Sequence, residues 1–229
     1  WPLNFALVLD RDTEIRAIQL AMIETRCGRA MREASASLHG QLSGLHPAQR
    51  LPLAALSFTN LKRHPRAELL NFLALMHQLI RADGQLGLFE FCLGTLLRTQ
   101  IADALNPADT RILGSRKLGD CQPQALALLA VLAAKGQQEL NAARHAYLAG
   151  AQHLFARAAL RYEPPADAIA VLDSTLPVLD QLNAAGKQLL VEALVLTLNH
   201  DRRVTVAEGE LLRAICAGLH CPLPPLLHA

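Results

Sequence analysis

Apolar residues recur at helical spacing along almost the whole chain, and alternation of the kind that strands require never extends beyond a few residues. Composition agrees with this pattern, because 52% of the 229 residues are hydrophobic but only 4% are aromatic. Strands are usually rich in aromatic and β-branched side chains, whereas this chain is rich in Leu and Ala. We therefore predict an all-α protein.

Capping and turn residues divide the apolar pattern into separate helices. The predicted helices cover residues 13–27, 29–42, 65–81, 88–104, 124–134, 138–161, 167–182, 187–199 and 205–219. Another helix is expected to begin at Pro47, although Pro52 should break or kink its first turn. Residues 106–123 should be irregular, and residues 221–225 form a proline-rich tail that should be extended.

An internal repeat emerges when the sequence is compared with itself at an offset of 118 residues. Asp83 then aligns with Asp201, and Glu90 aligns with Glu208, without a gap. The apolar positions of the flanking segments coincide as well. We interpret this register as the duplication of a helical unit, because chance matching of Leu-rich helices does not easily align both acidic positions.

The repeat suggests how the chain is organised. Residues 1–45 should form N-terminal helices that link to an upstream part of the protein, because the chain begins at Trp1 within an apolar stretch. The other expected parts are a first repeated unit at 46–105, a connecting segment with a pair of helices at 106–165, and a second unit with the proline-rich tail at 166–229. The apolar runs are shorter than the roughly 20 residues of a membrane span, so none is expected here.

The acidic residues of the repeat allow two interpretations. They are Asp83, Glu90, Asp201 and Glu208. In the first interpretation, two carboxylates seven residues apart across a turn converge on a hard cation. In the second, Thr205 and Glu208 form a capping box, and Gly87 and Glu90 hold the same positions in the first unit. Helix capping explains more of the pattern, because the spacing of calcium-binding loops is absent.

Short motifs of the common catalytic and nucleotide-binding sites are missing from the sequence. It contains no His-Glu-x-x-His, no Gly-x-Ser-x-Gly, no phosphate-binding loop and no dinucleotide fingerprint. Its 22 basic and 20 acidic residues give a net charge of +2, which does not favour nucleic acid as a partner. Cys216, His220 and Cys221 fit no zinc-site spacing, so we interpret these two cysteines as buried thiols. The five cysteines of the chain are odd in number and widely scattered, which indicates a reducing compartment. We expect no catalytic residue in this chain.

Two stretches of the sequence resemble known families. Residues 79–90, which read LIRADGQLGLFE, and residues 200–215, which read HDRRVTVAEGELLRAI, resemble the paired "ADG…E" helical hairpins of tellurite-resistance TerB-like domains. The second stretch and the tail CPLPPL at 221–226 resemble the C-terminal region of bacterial inner-membrane zinc metallopeptidases, a group with HtpX-like and CAAX-protease-like members. The resemblance covers most of the chain from about Leu45, except residues 106–165.

These resemblances imply a parent protein whose upstream, membrane-embedded peptidase module binds zinc. This chain would follow it as a soluble domain on the cytoplasmic side of the bacterial inner membrane, with two TerB-like three-helix units joined by a middle pair of helices. The peptidase family's zinc ligands and catalytic Glu have no counterpart here, so no cofactor is implied for this chain. From TerB-like domains only the four acidic positions carry over, and Arg202 departs from the glycine of the motif.

The expected function is that of a non-catalytic accessory domain of a membrane-bound zinc metalloendopeptidase. Its expected partners are the upstream peptidase module and a protein substrate or regulator. A TerB-like module that senses a divalent ion at the acidic turns is an alternative. A stand-alone helical scaffold is another.

Overall fold

Eleven α-helices make up most of the computed structural model, which describes residues 1–106 and 114–225. Within these residues the only pairing of extended backbone is an isolated bridge between Arg116 and Leu182. The all-α prediction is therefore confirmed. No helix in the described part of the chain has the length and hydropathy that crossing a membrane requires.

The chain divides into two compact units, Trp1–Pro107 and Ala108–Ala229. The helices of the first unit are α1 (Pro2–Val8), α2 (Thr13–Cys27), α3 (Arg29–Leu42), α4 (Pro47–Leu61), α5 (Arg66–Ile80) and α6 (Leu88–Leu105). The helices of the second unit are α7 (Gln122–Gly136), α8 (Leu140–Leu154), α9 (Ala168–Leu179), α10 (Ala184–Leu198) and α11 (Val206–Gly218). Short 3₁₀ helices at Leu118–Cys121 and Asn199–Asp201 precede α7 and α11.

Two helices of the first unit differ from the sequence prediction. The pattern does not predict α1, whose N-cap residue Trp1 makes no capping hydrogen bond with its side chain. Of the expected break or kink at Pro52, the break is wrong, because α4 continues through this residue. Pro52 removes only the hydrogen bond to the carbonyl of Ala48, which lies in the exposed first turn and can bond water instead.

In the second unit, α8 ends at Leu154 rather than at the predicted residue 161. The chain turns back beyond this point, so that the ring of Tyr162 packs on the ring of Tyr147 with centroids 5.3 Å apart. A continuous helix would place these residues about 22 Å apart. The aromatic contact therefore requires the helix to end early.

The segment 106–123 is predicted to be irregular. Its residues 107–113 lie outside the described part, and α7 already begins at Gln122.

The short helix α1 is enclosed in the first unit by other helices. Phe5, Leu7 and Val8 are each at most 3% exposed. The carbonyl groups near its C-terminal end accept hydrogen bonds from side chains of three other helices. These are Gln19 Nε2 to Val8 O at 2.9 Å, His39 Nδ1 to Ala6 O at 3.1 Å and Arg50 Nη2 to Leu7 O at 3.4 Å. Tertiary contacts thus satisfy the groups that a helix end leaves unpaired.

The second unit is built around α7, which packs against α8, α9, α10 and α11. Its apolar side chains, such as Leu128 and Leu132, are fully buried. Beside it, α8 and α10 approach each other closely at Gly150. A Cβ atom added at Gly150 would lie 2.6 Å from the carbonyl oxygen of Ala193 and would overlap the hydroxyl of Thr197. Only glycine permits this distance between the two helices.

Substitution of Gly150 by alanine is expected to destabilise the second unit by about 2 kcal/mol, because the helices must move apart to accommodate the added methyl group. Tyrosine fluorescence during urea unfolding measures this effect, since Tyr147 and Tyr162 are the only tyrosines of the chain. Gly119→Ala is the matched control, because nothing lies within 4 Å of its added Cβ. A loss of stability equal in the two variants would contradict the close packing.

Candidate functional site

The first acidic turn connects α5 to α6. Its Asp83 Oδ1 accepts the backbone N–H of Gln85 at 2.9 Å, and Gly84 between them has a φ of +73°. Glu90 Oε2 accepts the backbone N–H of Gly87, the N-cap residue of α6, at 2.7 Å. Both carboxylates therefore bind backbone donors of the turn.

The second acidic turn connects α10 to α11 and is built in the same way. Asp201 Oδ1 accepts the backbone N–H of Arg203 at 3.0 Å, and Arg202 between them has a φ of +62°. Glu208 Oε2 accepts the backbone N–H and the hydroxyl of Thr205, both at 2.8 Å. The hydroxyl of Thr205 accepts the N–H of Glu208 in return, at 3.2 Å. The predicted capping box is confirmed.

The hydrogen bonds that the acidic side chains accept from the backbone of the turns recur at the offset of 118 residues. The aspartate accepts from the residue two positions later, and the glutamate accepts from the residue three positions earlier. The residue with positive φ is Gly84 in the first turn and Arg202 in the second. In both turns its backbone N–H donates to the carbonyl three positions earlier at 3.1 Å. Arg202 therefore adopts the conformation that Gly84 adopts in the first turn, although a side chain disfavours it.

Substitution of Arg202 by glycine is expected to stabilise the second unit by about 0.5–1 kcal/mol, because it removes the steric penalty of the left-handed conformation. Thermal unfolding followed by tyrosine fluorescence measures the change. Arg203→Gly is the matched control, because Arg203 is also exposed but does not have a positive φ. A decrease in stability in both variants would contradict the prediction.

The glutamates of both turns lie in environments that disfavour their charge. Burial raises the pKa of Glu90 above its usual range, and the nearby carboxylates of Asp83 and Asp10 raise it further. Burial also raises the pKa of Glu208, whose side chain is only 2% exposed. Glu208 packs over Gly136 at the end of α7, where an added Cβ would overlap its carboxylate. The Glu208 carboxylate is therefore buried in the packing of the second unit, whereas Glu90 is half-buried near the start of α6.

Asp201 has a different environment. Burial acts to raise its pKa, but hydrogen bonds from Gln137 and from the backbone of Arg203 outweigh this effect and lower the pKa overall. Gln137 Nε2 donates to Asp201 Oδ2 at 2.9 Å, which ties the second turn to the end of α7. Both oxygens of Asp201 therefore accept hydrogen bonds from the protein.

The structure brings Asp83 close to Glu90 in the first unit, and Asp201 close to Glu208 in the second. Among the described residues, no group of three or more His, Cys, Asp or Glu side chains is arranged to hold a metal ion. The chemistry visible in these turns is hydrogen bonding to backbone donors. Metal binding by the four carboxylates stays a prediction.

A polar cluster that the sequence pattern does not reveal lies in the second unit. We call Asp180, Lys187 and His220 the Asp180 cluster. Asp180 Oδ1 accepts from Lys187 Nζ at 2.6 Å and from His220 Nδ1 at 3.0 Å. Lys187 is only 8% exposed and also donates to the carbonyl of Leu219 at 2.7 Å. The cluster thus joins the ends of α9 and α11 to the first turns of α10.

The cysteines near this cluster are thiols. Cys216 is 1% exposed, and burial, together with the neighbouring Cys221, raises the pKa of its thiol to about 12. Cys221 is half-buried, and burial raises its pKa as well. The expectation of a buried thiol is confirmed for Cys216. A thiol with such a raised pKa is a poor nucleophile at neutral pH.

An apolar stripe lies on the surface of α10. Leu189 and Leu196 are separated by two helical turns, so they lie on the same side, and they are 40% and 42% exposed. Glu192 lies between them and its Oε2 contacts His153 Nε2 of α8 at 3.1 Å. The sequence pattern does not distinguish this stripe, because leucines at helical spacing also occur throughout the core. Its exposure is visible only in the structure.

Comparison of the chain with models of protein families, with curated proteins and with solved structures gave no match. The acidic turn occurs once in each unit. The stripe on α10 is an exposed apolar surface that comes shortly before the second of these turns in the sequence.

Proposed function

We propose that this chain is a non-catalytic accessory domain that recruits a protein substrate or a regulatory partner for a membrane-bound zinc metallopeptidase. The doubled acidic turn carries the proposal, because its hydrogen bonds recur at positions 118 residues apart. This recurrence supports duplication of a helical hairpin of the TerB-like kind. In the proposal, the zinc is bound by the upstream module of the same protein, on whose cytoplasmic side this domain lies.

The role of the acidic residues supports an accessory rather than a catalytic domain. Glu90 and Glu208 accept the amides of the N-cap residues, and Asp83 and Asp201 accept amides within the turns. A carboxylate in such a role fixes the end of a helix and contributes stability. In the proposal, the repeat is a structural framework and the function depends on a surface that this framework supports.

The stripe of Leu189 and Leu196 is the recruiting surface in this proposal. Exposed leucines that lie together on one side of a helix fit the apolar side chains of an unfolded or helical protein segment. Glu192, which lies between the two leucines, and its partner His153 add polar contacts. A protein partner is therefore favoured over a small molecule.

The proposal is tested in the full-length peptidase with unfolded β-casein as a protein probe. Changing Leu189 and Leu196 to lysine is expected to lower kcat/KM for casein by about tenfold, relative to kcat/KM for a short peptide too small to reach the stripe. Leu56→Lys is the control, because Leu56 is 74% exposed in the first unit and is expected to leave this ratio unchanged. An unchanged ratio in the double variant would overturn the recruiting role.

A second test addresses the absence of catalysis in this chain. The purified chain, incubated with zinc and the same casein, is expected to release no peptides above the rate of the metal alone. Zinc-dependent hydrolysis by the chain would contradict the proposal, whatever the behaviour of the stripe.

Divalent-ion sensing is a second candidate function, favoured by the proximity of Asp10 and Asp83 to Glu90. Capping roles for the carboxylates predict that calcium or zinc at millimolar concentration neither releases heat in calorimetry nor raises Tm. An ion bound only by the folded state would raise the stability by RT ln(1 + [ion]/Kd). A rise in Tm that is lost in the Asp83→Asn variant would favour the sensing function instead.

A further inference from the structure

The tail that follows α11 has a restricted backbone. Residues 221–225 read Cys-Pro-Leu-Pro-Pro and form no helix, strand or turn. Each proline ring fixes φ near −65°, and a residue that precedes proline is driven towards the extended region. These restrictions favour the polyproline II helix, which has three residues per turn.

The exposure of the tail follows this period of three. Cys221 and Pro224 are half-buried, whereas Pro222, Leu223 and Pro225 are exposed. In a polyproline II helix, residues three positions apart lie on the same edge. One edge of the tail therefore faces the second unit, and a second edge presents Pro222 and Pro225 to solvent. Leu223, 37% exposed, forms the third edge.

The start of the tail is fixed by the end of α11. Cys221 donates its backbone N–H to the carbonyl of Cys216 at 2.9 Å, and His220 donates to the carbonyl of Ala217 at 3.0 Å. With a φ of +52° at His220, these two bonds form a Schellman motif. The Asp180 cluster holds the same residues through His220 and the carbonyl of Leu219. A segment that is ordered before binding loses less conformational entropy when a partner binds it.

We propose that the edge formed by Pro222 and Pro225 is a docking ligand for a partner protein with an aromatic-lined groove. Such grooves recognise two prolines three positions apart on a preformed polyproline II helix. The tail carries no charged residue between 221 and 225, so apolar contacts with the proline rings and Leu223 dominate the recognition. This inference does not rest on the stripe of α10 or on an attached peptidase.

Photocrosslinking in the full-length protein, in the cells that make it, tests the proposal. Benzoylphenylalanine at position 223 is expected to yield one discrete adduct with another protein. The crosslinked peptide of that protein should line a groove that contains aromatic side chains. The double variant Pro222→Ala/Pro225→Ala should lower the adduct yield by about tenfold without changing Tm. Pro164→Ala/Pro165→Ala, in a coil segment of the same unit, is the matched control and should leave the yield unchanged.

Several outcomes would overturn the proposal. The first is an adduct yield from benzoylphenylalanine at position 223 that is no greater than the yield from the same probe at position 140. Leu140 is 62% exposed elsewhere in the second unit. Others are an adduct that persists in the double variant of the tail, an adduct with a second copy of this chain, and an adduct with lipid alone. A crosslinked peptide from a surface without aromatic residues would also contradict it.

Discussion

Substitution of Gln19 by methionine is expected to destabilise the first unit by about 3 kcal/mol, because it removes three hydrogen bonds that this buried side chain makes with the backbone. Gln19 is 3% exposed, and its Oε1 accepts the N–H of Asp10 at 2.7 Å. Its Nε2 donates to the carbonyls of Val8 and Leu79, both at 2.9 Å. Methionine has a similar volume, so the loss reports the hydrogen bonds rather than a cavity.

Tryptophan fluorescence during urea unfolding measures this loss specifically. Trp1 is the only tryptophan of the chain, and its ring lies 5.5 Å from that of Phe72 in the core of the first unit. The matched control is Gln49→Met, because Gln49 is exposed in the first turn of α4, and a change within about 0.5 kcal/mol is expected there. If Gln19→Met unfolds at the same urea concentration as this control, α1 is not held by Gln19.

The sequence predicts a helix well where local residues define its ends. Asp12 caps α2 through hydrogen bonds from Glu14 and Ile15, and Gly28, with a φ of +86°, separates α2 from α3. Both signals involve neighbours in sequence, so the predicted bounds of α2 and α3 agree with the structure. The capping role of Thr205 and Glu208 is predictable for the same reason.

Helix α1 and the Asp180 cluster depend on residues far apart in sequence, which a pattern of local spacing does not contain. The last turn of α1 is held by side chains from α2, α3 and α4. Asp180 meets a lysine seven residues later and a histidine 40 residues later. Likewise, the repeat predicts the acidic turn, but the contacts of Asp201 with Gln137 and of Glu208 with Gly136 come from α7, outside the repeat.

Substitution of Lys187 by methionine is expected to destabilise the second unit by about 2–3 kcal/mol at pH 7, because it leaves the Asp180 carboxylate without its ammonium partner. The side chain of Asp180 is 32% exposed, so the expected loss of stability is smaller than for a fully buried ion pair. Lys135→Met is the control, since Lys135 is exposed on α7. Tyrosine fluorescence during urea unfolding measures both variants.

The pH dependence separates this explanation from a simple loss of packing. Burial acts to raise the pKa of Asp180, but the hydrogen bonds and charges of Lys187 and His220 lower it overall. A carboxyl with a lowered pKa contributes stability above its unfolded pKa of about 3.9, and this contribution is lost as the pH falls through the folded value. In Lys187→Met, of the two groups that lower the pKa of Asp180 only His220 remains to oppose the effect of burial. The pKa of Asp180 should therefore be higher in this variant than in the natural protein.

The difference in stability between the natural protein and Lys187→Met should therefore be largest near neutral pH and should decrease on acidification, as Asp180 becomes protonated in the variant first. Asp180→Asn removes the opposite charge of the same ion pair. The double variant Asp180→Asn/Lys187→Met should therefore lose less stability than the sum of the two single losses, by about 1–2 kcal/mol. A difference that stays constant from neutral to acidic pH, with additive single losses, would assign the role of Lys187 to its hydrogen bond with Leu219 and its packing. The cluster would then hold the start of the proline-rich tail without the charge of Asp180.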